Sequence, residues 1–165
     1  MKTRLIVPVF LLLALTCGLA AAQSVRNPKL SPQDLESATK LIRDLGGAGA
    51  ELTYAARLDL IQKGSFDSLV VVYALPVSSG KDYYAIVSRE DKKYPVTTGK
   101  KGPLLNPGDK FLRVGLKHQE GSPSLFRIMG AFNDPSRGEM QRNVDFQFNG
   151  TEFAFVAKSE MPLPR

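Results

Sequence analysis

The sequence predicts a mainly β domain of the α+β class: one N-terminal amphipathic helix packed on an antiparallel meander of seven or eight strands, closed as a β-barrel or folded as a β-sandwich. Three observations carry this reading. Residues 32–45 repeat apolar positions at helical spacing, and from Leu52 onward the apolar period changes to two. The strand-like runs are joined by short Gly, Pro, Asn and Asp turns rather than by helices. Parallel strands need crossovers of about a dozen residues or more, so an all-parallel sheet is excluded.

The helix begins at Ser31-Pro32-Gln33-Asp34, with Ser31 at the N-cap, Pro32 at the first helical position and Asp34 where the helix dipole favours an anion. Leu35, Ala38, Leu41, Ile42 and Leu45 form its apolar stripe, and Gly46-Gly47 ends it. The stripe needs a partner, so the helix packs on the sheet.

Leu52, Tyr54, Ala56, Leu58 and Leu60 alternate with more polar neighbours, the pattern of a half-buried strand. Residues 63–68 read as a turn. Leu69 to Leu75 is continuously apolar and reads as a central strand covered on both faces. Turns at 78–82 and 90–93 bracket a strand from Tyr83 to Arg89, and a short strand follows near Tyr94 to Thr97. The segment 98–109 is the one long irregular connection, longer than the usual 4–6 or so residues. Strands resume at 110–118, where Phe111, Arg113 and Gly115 oppose Leu112, Val114 and Leu116, and again at 125–132. After a loop at 133–138, Val144, Phe146 and Phe148 share a face, Asn149-Gly150 reads as a type I′ turn, and Phe153 and Phe155 return.

Lys2 and Arg4, the apolar run 5–15 and Ala20-Ala21-Ala22 make a secretory signal cleaved after Ala22. The apolar run is too short to span a membrane, which takes about 20 residues. The domain organisation expected is signal peptide 1–22, flexible lead 23–30, one globular domain 31–160 and tail 161–165. Lipidation at Cys17 is the lesser alternative, because Leu15 is bulky where a lipoprotein box needs a small residue. Cys17 is the chain's one cysteine, so the mature domain carries no disulfide and fits a bacterial envelope or medium. A chain of roughly 140 residues buries enough surface to fold without one. Removing Lys2 and Arg4 lowers the formal charge from +6 to +4, an excess that favours anionic surfaces but is too small and dispersed for a nucleic-acid binder.

No catalytic constellation emerges. His118 is the only histidine and sits at a strand end beside Lys117, Gln119 and Glu120, with no nucleophile elbow anywhere in the chain. One histidine and no mature cysteine cannot supply a zinc site, and no calcium loop is present. Gly80-Lys81 and Gly99-Lys100 lack the remaining residues of a phosphate loop. No cofactor is expected. Asp59, Asp67, Asp82, Asp109, Asp134, Glu139, Asp145 and Glu152 are scattered, several in turns where aspartate caps the backbone. Asp145 and Glu152 lie on the outward side of the last hairpin.

The remaining candidates are basic and aromatic: Tyr83, Tyr84, Lys92, Lys93, Tyr94, Lys100 and Lys101. Gathered on one rim, they would offer a cationic, aromatic-lined surface to an anionic envelope polymer or an acidic protein partner. The sequence therefore leads to a secreted or periplasmic non-enzymatic binding domain. The alternatives are a β-barrel carrier of a small apolar ligand, walled by the helix and the phenylalanine-rich hairpin, and a carboxylate-based hydrolase.

Overall fold

The computed structural model describes residues 30–60, 67–99, 102–119 and 122–164. The expected signal peptide at 1–22, residues 23–29 of the expected lead, the bulk of the 63–68 turn, Lys100 and Lys101 lie outside the described residues, as does the His118 side chain. The chain runs α1 (Pro32–Gly46), β1 (Glu51–Leu58), β2 (Ser68–Val77), β3 (Gly80–Arg89), β4 (Lys92–Thr97), β5 (Lys110–Gln119), β6 (Ser122–Asp134), β7 (Gly138–Phe148) and β8 (Phe153–Pro162). The eight strands form one sheet in the order β1-β2-β3-β4-β8-β7-β6-β5. It is nearly closed into a barrel, with the Tyr54 ring of β1 lying 6.1 Å from the Phe111 ring of β5 at the seam.

The helix starts as its sequence dictates. Ser31 and Asp34 form a capping box, with Ser31 Oγ accepting from the Asp34 N–H. Arg57 of β1 donates through Nε and Nη2 to Asp34, at 3.1 and 2.7 Å, tying this helix end to the sheet. Ala38, Leu41 and Ile42 are buried against Leu69, Val71 and Tyr73 of β2 and Ile86 of β3. At the other end Gly46 is required by close approach, since a Cβ there would lie 2.7 Å from the Ala50 Cβ.

β2 is buried on both faces. Val70, Val72 and Ala74 point into the barrel while Leu69, Val71 and Tyr73 pack under α1, which is why its sequence is continuously apolar. The barrel interior is filled by Leu58, Leu60, Val87, Phe126, Ile128, Val144, Phe146 and Phe153. Phe126 sits 6.1 Å from both Phe146 and Phe153, ring centre to ring centre.

Several local expectations are corrected. The register slips between Leu52 and Tyr54, so Leu52 joins the helix side while Tyr54, Ala56 and Leu58 face inward. A second slip between Phe111 and Arg113 places Phe111 on the same inner face as Val114 and Leu116 and leaves Leu112 exposed. The turns after β2 and β3 are tighter than expected: Val77 pairs with Gly80, and Arg89 with Lys92. Glu90 and Asp91 both take positive φ, 47° and 64°, the primed hairpin geometry that suits the strand twist but strains residues with a Cβ. The last hairpin is instead a four-residue loop. Asn149 has no positive φ, and its side chain accepts from the Thr151 and Glu152 N–H groups. β8 runs on to Pro162.

The meander is interrupted once, where β4 and β8 pair in parallel through Val96–Phe153 and Thr97–Ala154. The chain leaving β4 must therefore cross the barrel mouth to reach β5, and residues 98–109 are that strap. Leu104 donates its N–H to Tyr83 O at 2.8 Å. Leu104 and Leu105 are buried in the core, and a Cβ on Gly130 of β6 would meet Leu105 at 2.8 Å. The strap's far end is held by charge. Asp109 caps the Asn106 N–H and is ion-paired with Arg142 of β7, both side chains being almost fully buried. Arg142 lies 4.1 Å from the Phe132 ring centre and donates to Glu160 of β8, which also receives Arg137, itself paired with Asp134.

The strap should behave as core. Leu105→Ala should cost about 2–4 kcal/mol, as for other buried leucine truncations, measured by urea unfolding; a loss under about 0.5 kcal/mol, the scale of surface changes, would show the strap is peripheral. Replacing Glu90-Asp91 by Asn-Gly relieves the positive-φ cost and should stabilise by about 0.5–1 kcal/mol in the same assay. Asp134 and Glu160 are held below their ordinary values, chiefly by hydrogen bonds from Arg137. Their contribution is complete above the unfolded value, 4.5 for glutamate, and is lost as pH falls through the lower native values. The Tm should drop between about pH 5 and pH 2, and Glu160→Gln should lower the Tm at neutral pH while flattening part of that drop. Parallel curves for the two proteins would disprove the assignment.

Candidate functional site

The five described candidates, Tyr83, Tyr84, Lys92, Lys93 and Tyr94, do not gather on one rim. Tyr83 and Tyr84 are successive residues of β3 and point to opposite faces. Tyr83 is buried in the barrel, its ring 5.9 Å from Phe111, whereas Tyr84 lies on the helix side. Tyr94 is half-buried and meets Phe148 edge-on at 5.1 Å, so it is largely a core residue. Lys92 and Lys93 are exposed and stand opposite Arg89 and Ser88, about 14–17 Å along β3 from Tyr84 at ~3.4 Å per residue. β4 carries the chain back over that length. Its last residue, Thr97, lies on a shared hollow with Tyr84.

That hollow is an open groove of about 210 Å³ on the outside of the barrel. Leu45 at the end of α1 forms one wall; Tyr73 and Tyr84 form the floor, and Pro95, Thr97 and Gly102 complete it. Tyr73 and Tyr84 stack with ring centres 5.5 Å apart and planes 22° from parallel. Burial pushes the Tyr73 phenol above its ordinary value, so it remains a neutral donor at physiological pH. Leu45 is 48% exposed, an apolar lip left uncovered beside two aromatic rings. The arrangement can take a ring or a short apolar stem, with the Thr97 hydroxyl as a polar contact. Gly99 and Gly102 bracket Lys100 and Lys101 in the chain, and Gly102 already borders the groove.

Four of the eight candidate carboxylates, Asp67, Asp109, Asp134 and Asp145, are paired with arginines. Asp145 lies on the outward face of β7 but is buried, and it receives Arg127 of β6 through two bonds of 2.6 and 2.7 Å. Sequence reasoning placed it on the outward face and missed its partner, because Arg127 and Asp145 are opposed only once the β6–β7 register is known. Asp67 is 2.8 Å from Arg89, and Asp109 and Asp134 have their arginines. Glu152 sits in the last turn, beyond the Phe148–Phe153 pair that closes the hairpin. Among the described residues no group of three or more His, Cys, Asp or Glu could hold a metal ion, and no helix is long and apolar enough to cross a membrane.

The groove's apolar members were visible individually in the sequence. Leu45 belongs to the helix stripe, and Tyr73 reads as a strand residue. Their meeting depends on where the helix C-terminus lands on the sheet, for which Gly46 is the single sequence signal. Compared with known proteins, the chain matches no family model, no curated protein and no solved structure.

Proposed function

We propose that the protein is a secreted or periplasmic non-enzymatic binding domain that takes an anionic envelope polymer along the outer groove. The observation that carries this reading is the half-buried Tyr84 ring, stacked on the buried Tyr73 in the groove between the helix end and Gly102, which follows Lys100 and Lys101 in the chain. An aromatic floor beside a basic loop combines apolar contact with charge attraction. The formal charge of +6 for the chain, or +4 without the signal, agrees in sign. The interior supports a surface site over an enclosed one, since Phe126, Phe146 and Phe153 fill it and are fully buried. The arginine partners of Asp67, Asp109, Asp134 and Asp145 likewise support binding over carboxylate catalysis.

Heparin chromatography of the purified protein tests the reading. Retention should fall steeply with salt, as it does wherever cations displace counterions from a polyanion. Lys100→Glu with Lys101→Glu should abolish retention at moderate salt. Tyr84→Ala should weaken binding several-fold with little change in salt dependence. Lys92→Glu with Lys93→Glu, the same charge change placed away from the groove, should cause a much smaller loss. Equal losses from the two lysine pairs would reduce the effect to net charge and overturn the groove assignment; no retention at low salt would overturn the polymer.

A further inference from the structure

A second surface, separate from the groove, lies along β8. The strand pairs with β7 over its whole length, Phe153 with Phe148 through Pro162 with Met140. On its other side it pairs with β4 only at Phe153 and Ala154. Beyond Ala154 the β8 backbone has no further ladder partner on that side among the described residues, and residues 155–162 are all exposed. Phe155, Val156 and Met161 are 45, 49 and 41% exposed. An extended edge carrying uncovered apolar side chains is a template for an added strand.

The charges on this edge specify the occupant. We infer that β8 pairs antiparallel with β8 of a second copy about a two-fold axis at Ser159, forming a homodimer by edge-to-edge sheet continuation. A two-fold interface brings each residue against its own reciprocal partner. With Ser159 on the axis, Lys158 opposes Glu160 of the second copy twice, Ala157 opposes Met161, and Val156 opposes Pro162. Moving the axis by one residue puts Lys158 against Lys158 or Glu160 against Glu160, and like charges directly opposed are destabilising. The electrostatic environment agrees. Asp109, Asp134 and Glu160 are three carboxylates sharing two guanidiniums, those of Arg137 and Arg142. The cluster lacks one positive charge, and Lys158 of the second copy supplies it. Within its own chain Lys158 donates to the neutral Asn106 amide oxygen, at 3.1 Å. The same lysine, glutamate and terminal proline discourage indiscriminate pairing of the edge. The contact is small, so the dimer is weak and concentration-dependent.

Sedimentation over roughly 1–300 µM, the range suited to a small interface, should show monomer passing to dimer. Lys158→Glu sets four carboxylates against two guanidiniums and turns the reciprocal contact with Glu160 into a repulsion between like charges. It should leave a monomer throughout that still unfolds in one cooperative thermal transition. A geometric test uses single thiols in the chain from Gln23 onward, which has no cysteine of its own. Ser159→Cys should form an oxidised dimer rapidly, because residues opposed across a strand pair bring their Cβ atoms to about 5 Å. Ala157→Cys and Met161→Cys should cross-link far more slowly, each lying about 13 Å from its own copy. A protein that stays monomeric across the range overturns the inference. So does a dimer unaffected by Lys158→Glu, or one in which Ser159→Cys cross-links no faster than the two controls.

Discussion

The fold depends on one topological constraint: β4 pairs with β8, so the chain must cross the open mouth of the barrel before its second half can begin. A crossing segment is poor structure by itself, because it carries backbone groups away from any ladder and exposes what it covers. Here Leu104 and Leu105 turn it into core, Tyr83 accepts one of its N–H groups, and Asp109 is held by Arg142. That last pair is buried on both sides, so losing either partner leaves a desolvated charge. The contact with Glu160 extends the same clamp to β8, joining the strap, β7 and β8 in one charge cluster.

The strap also decides where surface is left free. By leaving β4 after Thr97 and bonding β3, it makes one border of the outer groove at Gly102 and leaves the backbone of β8 past Ala154 without a ladder partner on that side. The groove and the edge are thus two consequences of one departure from a simple meander. They differ in character. The groove has an aromatic floor bordered by the strap at Gly102, whereas the edge offers unpaired backbone and a locally unbalanced charge cluster.

Much of this architecture was legible in the residues. Ser31-Pro32-Gln33-Asp34 specifies its capping box locally, and the helix stripe needs no tertiary information. The uninterrupted apolar run of β2 announces burial on both faces, and Val144, Phe146 and Phe153 are interior as their alternation indicates. What was not legible is non-local. The slips at Thr53 and Leu112 cost no residue a visible signal, yet they move Leu52 to the helix side and Phe111 inward. The parallel β4–β8 junction rests on two residue pairs, which no composition rule distinguishes from the end of a hairpin. Glu90-Asp91 is a poor sequence for a primed turn and adopts it because the strands on both sides fix the register.

The candidate site shows the same division. The basic and aromatic residues were identifiable by type, but a strand's two-residue period separates Tyr83 from Tyr84, and β3 separates both from Lys92 and Lys93. Of the three candidate tyrosines, Tyr84 keeps a surface role, because α1 ends just short of it and leaves Leu45 as a lip rather than a cover. A longer helix would cover Tyr84 as well as Tyr73 and remove the groove. Gly47 ends the helix there with a positive φ of 73°, its N–H bonding back to Arg43, and Gly46 lets the chain fold back closely, since the Ala50 Cβ occupies the space that a side chain would need. The extent of the aromatic surface is therefore set by the two glycines at the helix end, not by any residue that would itself touch a ligand.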